Sequence, residues 1–145
     1  MILFTSDTDG RARRAAKTAF VYLCVSVFCV LLGAVYERFS HGVYSFYMIY
    51  AFCFPLVGGA LPFAALSLWG RGTYPSAVPA GLYHAGVATL AVGSIVCGVL
   101  EIYGTTNALS RVYWIAGGCL VLAAVCTAIV EAVRPRISRE DARQE

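Results

Sequence analysis

Side chains capable of acid, base or ion-pair chemistry gather at two short polar connectors: Glu37, Arg38 and His41 within 37–42, and Glu101 and Arg111 at the two ends of 101–111. Two carboxylates, two guanidinium groups and an imidazole beside a membrane boundary are the materials of a proton-coupled or hydrolytic site. The same groups have a purely structural use, pairing at helix ends to fix one hairpin against another. Just beyond the first connector, Tyr44, Tyr47, Tyr50 and Phe54 recur at spacings of three and four, the period that lines one helix face. An aromatic wall of this kind suits a lipid or an organic cation, whose charge is attracted to ring faces. It also suits ordinary packing.

Other chemistries find few materials. His41 and His84 fall near opposite membrane surfaces, about 20 Å apart at a helical rise of about 1.5 Å per residue, too far for both to ligate one haem iron. His84 suits a hydrogen bond to the backbone of a neighbouring helix, to Tyr50 or to Ser67. Cysteines 24, 29, 53, 97, 119 and 126 all lie in apolar runs without a CxxC pair, so they read as small packing residues and not as a disulfide framework or redox pair. No phosphate-binding glycine loop, nucleophile motif or metal-ligand spacing occurs, and no cofactor or metal is expected. A net charge of +3 without interleaved aromatic and basic residues argues against nucleic acid as a partner.

The elements that must position these groups follow from composition. With 145 residues, 59% apolar and 13% charged, and a mean hydropathy of +0.72, the chain lies well outside the range of soluble domains. Charges collect at the ends and in connectors, leaving apolar runs at 19–36, 43–68, 80–102 and 112–133. The first run is longer than a signal-peptide core and lacks a convincing cleavage site, so it reads as an uncleaved helix. The predicted fold is all-α, a single four-helix transmembrane bundle with short tails. Arg11, Arg13, Arg14, Lys17, Arg71, Arg134, Arg136, Arg139 and Arg143 lie in the termini and second connector, against Arg38 and Arg111 in the first and third. This asymmetry predicts a multi-pass protein with both termini in the cytoplasm. The first and third connectors then share the outer surface.

Within the second run, Pro55, Gly58, Gly59 and Pro62 each remove or weaken a helical hydrogen bond, predicting a kink over 55–62. Such a break persists in lipid only where neighbours or a water-filled cavity satisfy the freed carbonyls. The third helix carries Gly86, Thr89, Gly93 and Cys97 on one face and Gly81, Ala88, Ala91 and Gly98 on nearly the opposite one. It is therefore expected at the centre, with close approaches at Gly58, Gly59, Gly86, Gly93, Gly117 and Gly118. Glu131, at the inner end of the fourth helix, is expected to pair with Arg134.

The stretches SHGVYSFYM and YHAGVATLAVGS resemble parts of small four-helix membrane proteins of Gram-positive bacteria, a resemblance that covers most of the second and third helices and implies a bacterial plasma membrane without implying an activity. The length is also similar to that of small multidrug transporters, but those carry a membrane-embedded glutamate in the first helix, whereas Glu37 stands at its outer end. Three readings follow. The first is a non-enzymatic component, an accessory subunit or small-ligand or lipid binder that packs as a homo-oligomer or with a membrane partner. The second is a proton-coupled transporter using Glu37 or Glu101, and the third an intramembrane enzyme built on His41, Glu37 and Glu101.

Overall fold

The computed structural model describes residues 3–40, 42–69 and 75–141, and for 3–9, 11, 69 and 134–141 the backbone alone. The described residues are all helical or connecting: α1 (Leu3–Phe39), α2 (Phe46–Ile49), α3 (Cys53–Pro55), a π-helical turn (Leu56–Ala60), α4 (Leu61–Trp69), α5 (Ala77–Ile102), a short 3₁₀ turn (Ala108–Ser110) and α6 (Arg111–Asp141). Four stretches are long and apolar enough to cross a membrane: Ala12–Phe39, Phe46–Leu68, Ala77–Ile102 and Ala108–Val133. This is the architecture of a multi-pass membrane protein. Exposed Phe20, Phe28, Leu31, Ile115, Leu122 and Val130 lie on these stretches, where acyl chains rather than water would cover them. Gly42 (φ 90°) and Gly104 (φ 68°) close the first and third connectors in the left-handed region, which a side chain would penalise.

The second span is segmented for a reason its sequence states. Pro62 has no N–H, so the Gly58 carbonyl four residues earlier loses its α-helical donor. The backbone is π-helical over Leu56–Ala60, and the Tyr83 hydroxyl of α5 donates to the Gly58 carbonyl at 2.7 Å. Upstream, between α2 and α3, Ala51 N–H donates to Met48 O at 3.4 Å. There the Ser94 hydroxyl, also from α5, donates to the Tyr47 carbonyl at 2.7 Å. In lipid a freed carbonyl has no water to turn to, so α5 supplies the missing donors. Each such interhelical bond stabilises by about 0.6 kcal/mol on average in membrane proteins.

Packing follows chain order, with α1 against α4 and the π-helical turn, α2 and α3 against α5, and α5 against α6. The α5 window is 33% buried and that of α6 only 11%, which makes α5 the central element and α6 a peripheral one. Met48, 1% exposed, is wedged between two glycines. A Cβ on Gly33 of α1 would lie 3.3 Å from Met48 O, and one on Gly98 of α5 would lie 2.9 Å from Met48 N. Across α5 and α6, a Cβ on Gly86 would stand 3.1 Å from Gly117 O and one on Gly117 would stand 3.2 Å from Gly86 O, a reciprocal backbone approach. Gly93 gives its space to Tyr113, and Gly58 meets Val87. Gly118 does not join this seam, because an added Cβ there meets nothing within 4 Å. On the second small-residue face of α5, Ala91 and Gly98 are buried, but Ala88 is exposed and Gly81 faces open space.

Candidate functional site

Ser45 and Met48 fix the second span against α5, and their spacing determines what lies above. With Met48 locked at Gly98, Ser45 falls one turn higher, beside Glu101 at the C-terminal end of α5. Ser45 is completely buried, and its hydroxyl donates to Glu101 Oε2 at 2.5 Å. A charge-assisted bond from a buried, positioned donor holds the carboxylate in one place while Glu101 itself stays exposed. The chain then reverses at Gly104. Asn107 Oδ1 accepts from Leu109 N–H at 2.9 Å, a cap that organises the 3₁₀ turn and starts α6 at Arg111.

Between these ends opens a cleft of about 650 Å³, lined by Tyr47, Cys97, Leu100 and Glu101 on one side and by Thr105, Thr106, Asn107, Ala108, Ser110, Arg111 and Trp114 on the other. Two of its lining residues, Tyr47 and Trp114, belong to an aromatic group built across helices. Tyr47 and Phe54, seven residues apart on the second span, flank Trp114 of α6 with ring centroids 6.2 and 5.6 Å away. Glu101 and Arg111 both line the cleft, yet no ion pair within 4 Å joins them among the described residues. The site thus presents a fixed carboxylate, an exposed guanidinium and tilted aromatic faces around one space.

No protein-family model matches the chain, and no match is found among curated proteins or solved structures. The site is therefore read from its geometry.

The connector residues separate. Glu101, Arg111 and Tyr47 come together in the cleft, whereas Glu37 and Arg38 are not among its lining residues. Glu37 Oε1 is buried without a hydrogen-bond partner among the described residues, and Arg38 is exposed. The expected pairing of Glu37, Arg38, Glu101 and Arg111 at helix ends does not form among the described residues; Glu101 instead accepts from Ser45 through Oε2. Tyr50 leaves the aromatic wall and stacks on Phe46, with ring centroids 6.4 Å apart and planes 8° from parallel. His41 lies outside the described residues. A second cavity, about 500 Å³, is formed at the same end of the molecule by Val35, Tyr36 and Phe39 of α1, Ser40, Ile102 of α5 and Tyr103 just beyond it.

His84 occupies a separate cluster toward the other end of α5. It shares a hydrogen bond of 2.7 Å with the Tyr22 hydroxyl through Nδ1, so its partner comes from α1 and is neither Tyr50 nor Ser67. Phe63 packs against both, 6.0 Å from the Tyr22 ring and 5.3 Å from that of His84, and Tyr83 meets Phe63 edge-on at 6.1 Å. The cluster depends on Gly59, whose added Cβ would fall 2.2 Å from two Tyr22 ring carbons. At the same end, Glu131 receives the Ser76 hydroxyl on both oxygens, at 2.7 and 2.6 Å, while the side chain of Arg134 is not described. No group of His, Cys, Asp and Glu suited to a metal occurs among the described residues.

Trp114, Cys97, Thr105 and Thr106 are cleft residues that sequence reasoning missed. The available signal was Trp114 one helical turn beyond Arg111, an aromatic at the start of an apolar run.

Proposed function

We propose that this chain is a non-enzymatic component of a bacterial plasma membrane that binds a small amphipathic ligand or lipid in the cleft between the second span, α5 and α6. The observation that carries this reading is the 650 Å³ space with Glu101, Arg111, Tyr47 and Trp114 around it. Its size falls in the range of roughly 300–1,000 Å³ typical of small-molecule sites, and its mix of few polar groups with aromatic walls fits recognition rather than bond breaking. By the distribution of Lys and Arg, both termini face the cytoplasm and the cleft opens outward. Pro55, Gly58, Gly59 and Pro62 bend the second span over 55–62, just beyond the segment that carries Tyr47 and Phe54. The transport reading would need the broken second span as its pathway and has less to rest on, since Pro55, at the head of that break, is fully buried.

Trp114 reports the cleft. In a Trp69→Phe background it is the only tryptophan, so a ligand that enters should shift its emission saturably, and Tyr47→Ala should weaken that response. An unchanged emission across cationic, anionic and zwitterionic amphiphiles would sink the reading. Orientation is tested by an impermeant thiol reagent on intact cells, which should label Thr106→Cys and spare Arg136→Cys. Gentle extraction followed by mass measurement would show whether the chain is a homo-oligomer or a subunit beside a partner.

A further inference from the structure

The cleft holds opposite charges that do not satisfy one another. Glu101 has one oxygen engaged by Ser45 at 2.5 Å, which leaves Oε1 as an acceptor held in a fixed direction. Arg111 lines the same space and has no carboxylate within 4 Å among the described residues. A ligand with a single charge would satisfy one of these groups and confront the other with a like charge. A neutral apolar ligand would cover both without satisfying either, at a desolvation cost. A ligand bearing a cation and an anion a few bonds apart answers both.

The remaining lining residues refine the two charges. Tyr47 and Trp114 stand with centroids 6.2 Å apart and planes tilted by 49°, a partial cage in which an ammonium gains attraction from ring faces as well as from Glu101. On the other wall, Arg111 offers a planar fork of donors suited to phosphate oxygens, with the Thr105, Thr106 and Ser110 hydroxyls lining the same space. Leu100, Cys97 and the Trp114 ring supply an apolar side, and the cleft lies at the ends of membrane-crossing helices, where headgroups and acyl chains meet.

We propose that the cleft recognises an amine-bearing phosphodiester, the ammonium on Glu101 with Tyr47 and Trp114 and the phosphate on Arg111, as in a zwitterionic phospholipid headgroup. This inference rests on the ligand-binding reading of the same cleft and names its ligand class.

The test uses the full-length Trp69→Phe protein in mild detergent, following Trp114 emission and counting bound molecules by native mass spectrometry. The probes are phosphatidylethanolamine, phosphatidylglycerol, dodecylamine and glycerophosphoethanolamine. Phosphatidylethanolamine should bind at least tenfold more tightly than phosphatidylglycerol, which lacks the amine, and than dodecylamine, which lacks the phosphate. Glu101→Gln, whose amide oxygen still accepts from Ser45, should erase the preference over phosphatidylglycerol. Arg111→Gln should erase the preference over dodecylamine, and each variant should lose about tenfold or more in affinity for phosphatidylethanolamine. Glycerophosphoethanolamine, the same headgroup without chains, separates the sources. Weak binding identifies the lipid, and binding as tight as the lipid's identifies a soluble ligand of the same chemistry. Equal affinity for phosphatidylethanolamine and either singly charged probe would overturn the proposal while leaving the ligand-binding reading in place. No response to any probe would overturn both. Because the comparison of probes is made on protein with the cleft residues intact, it decides the matter even if a variant fails to fold.

Discussion

Replacing Gly59 with alanine should cost far more than a methyl group ordinarily does, and the cost should depend on Tyr22. The added Cβ would lie 2.2 Å from Tyr22 Cγ and Cδ1, whereas carbon atoms in contact stand about 3.5–4.0 Å apart. The ring must retreat by more than 1 Å. It is not a loose end, because its hydroxyl is hydrogen-bonded to His84 at 2.7 Å and its face lies 10° from parallel with Phe63. Overpacking of this kind typically costs about 1–3 kcal/mol, and loss of the half-buried hydrogen bond adds about 0.5–1.5 kcal/mol. Gly59→Ala should therefore destabilise by about 2–4 kcal/mol. Tyr22→Ala removes the obstructing ring, and in that background Gly59→Ala should cost less than about 1 kcal/mol, giving a coupling of at least 1 kcal/mol in a double-mutant cycle. Reversible unfolding in mixed micelles, titrated with a denaturing detergent and followed by circular dichroism, measures all four species. Equal costs of Gly59→Ala in the two backgrounds would refute the claim that Gly59 exists to seat Tyr22.

Further expectations use the same assay. Gly86→Ala sets a methyl 2.9 Å from the Val121 backbone nitrogen and 3.1 Å from Gly117 O, so it should force α5 and α6 apart at about 1–3 kcal/mol. Gly118→Ala enters open space and should be neutral or slightly stabilising, up to about 1 kcal/mol, through helix propensity. Tyr83→Phe and Ser94→Ala each strip a donor from a carbonyl of the segmented span, and each should lower stability by about 0.6–1.5 kcal/mol. The two should add closely, since they serve carbonyls eleven residues apart in the chain. Ser45→Ala releases Glu101; it should reduce stability by about 1 kcal/mol and broaden ligand preference in the cleft, read by Trp114 emission.

Much of the architecture was legible because lipid imposes strict rules on a chain. Apolar runs long enough to span, charges confined to connectors, and proline and glycine inside the second run are linear features, and each has one physical consequence in a medium without water. Pro62 dictates that the Gly58 carbonyl needs an outside donor whatever the neighbours are. The small residues of the third run likewise announce close approaches on two faces, but not which glycines are used. Gly86 and Gly117 meet, whereas Gly118, adjacent in sequence, is turned 100° away around the helix and meets nothing.

Tertiary structure alone decided the site. Glu37 and Glu101 were equivalent as letters at the connector ends of helices, yet only Glu101 lies one turn beyond the Gly98–Met48 lock, where buried Ser45 can reach it. His84 could have taken any hydroxyl at its depth, and Gly59 selected Tyr22 by leaving room for its ring. Tyr47 lies in α2 and Tyr50 just past its end, and the first meets Trp114 while the second stacks on Phe46. Composition and period determine which segments cross the membrane and where their backbones lack partners. Which side chain fills each gap depends on the rotation and register of helices packed on glycine, and these are properties of pairs of segments that no single segment encodes.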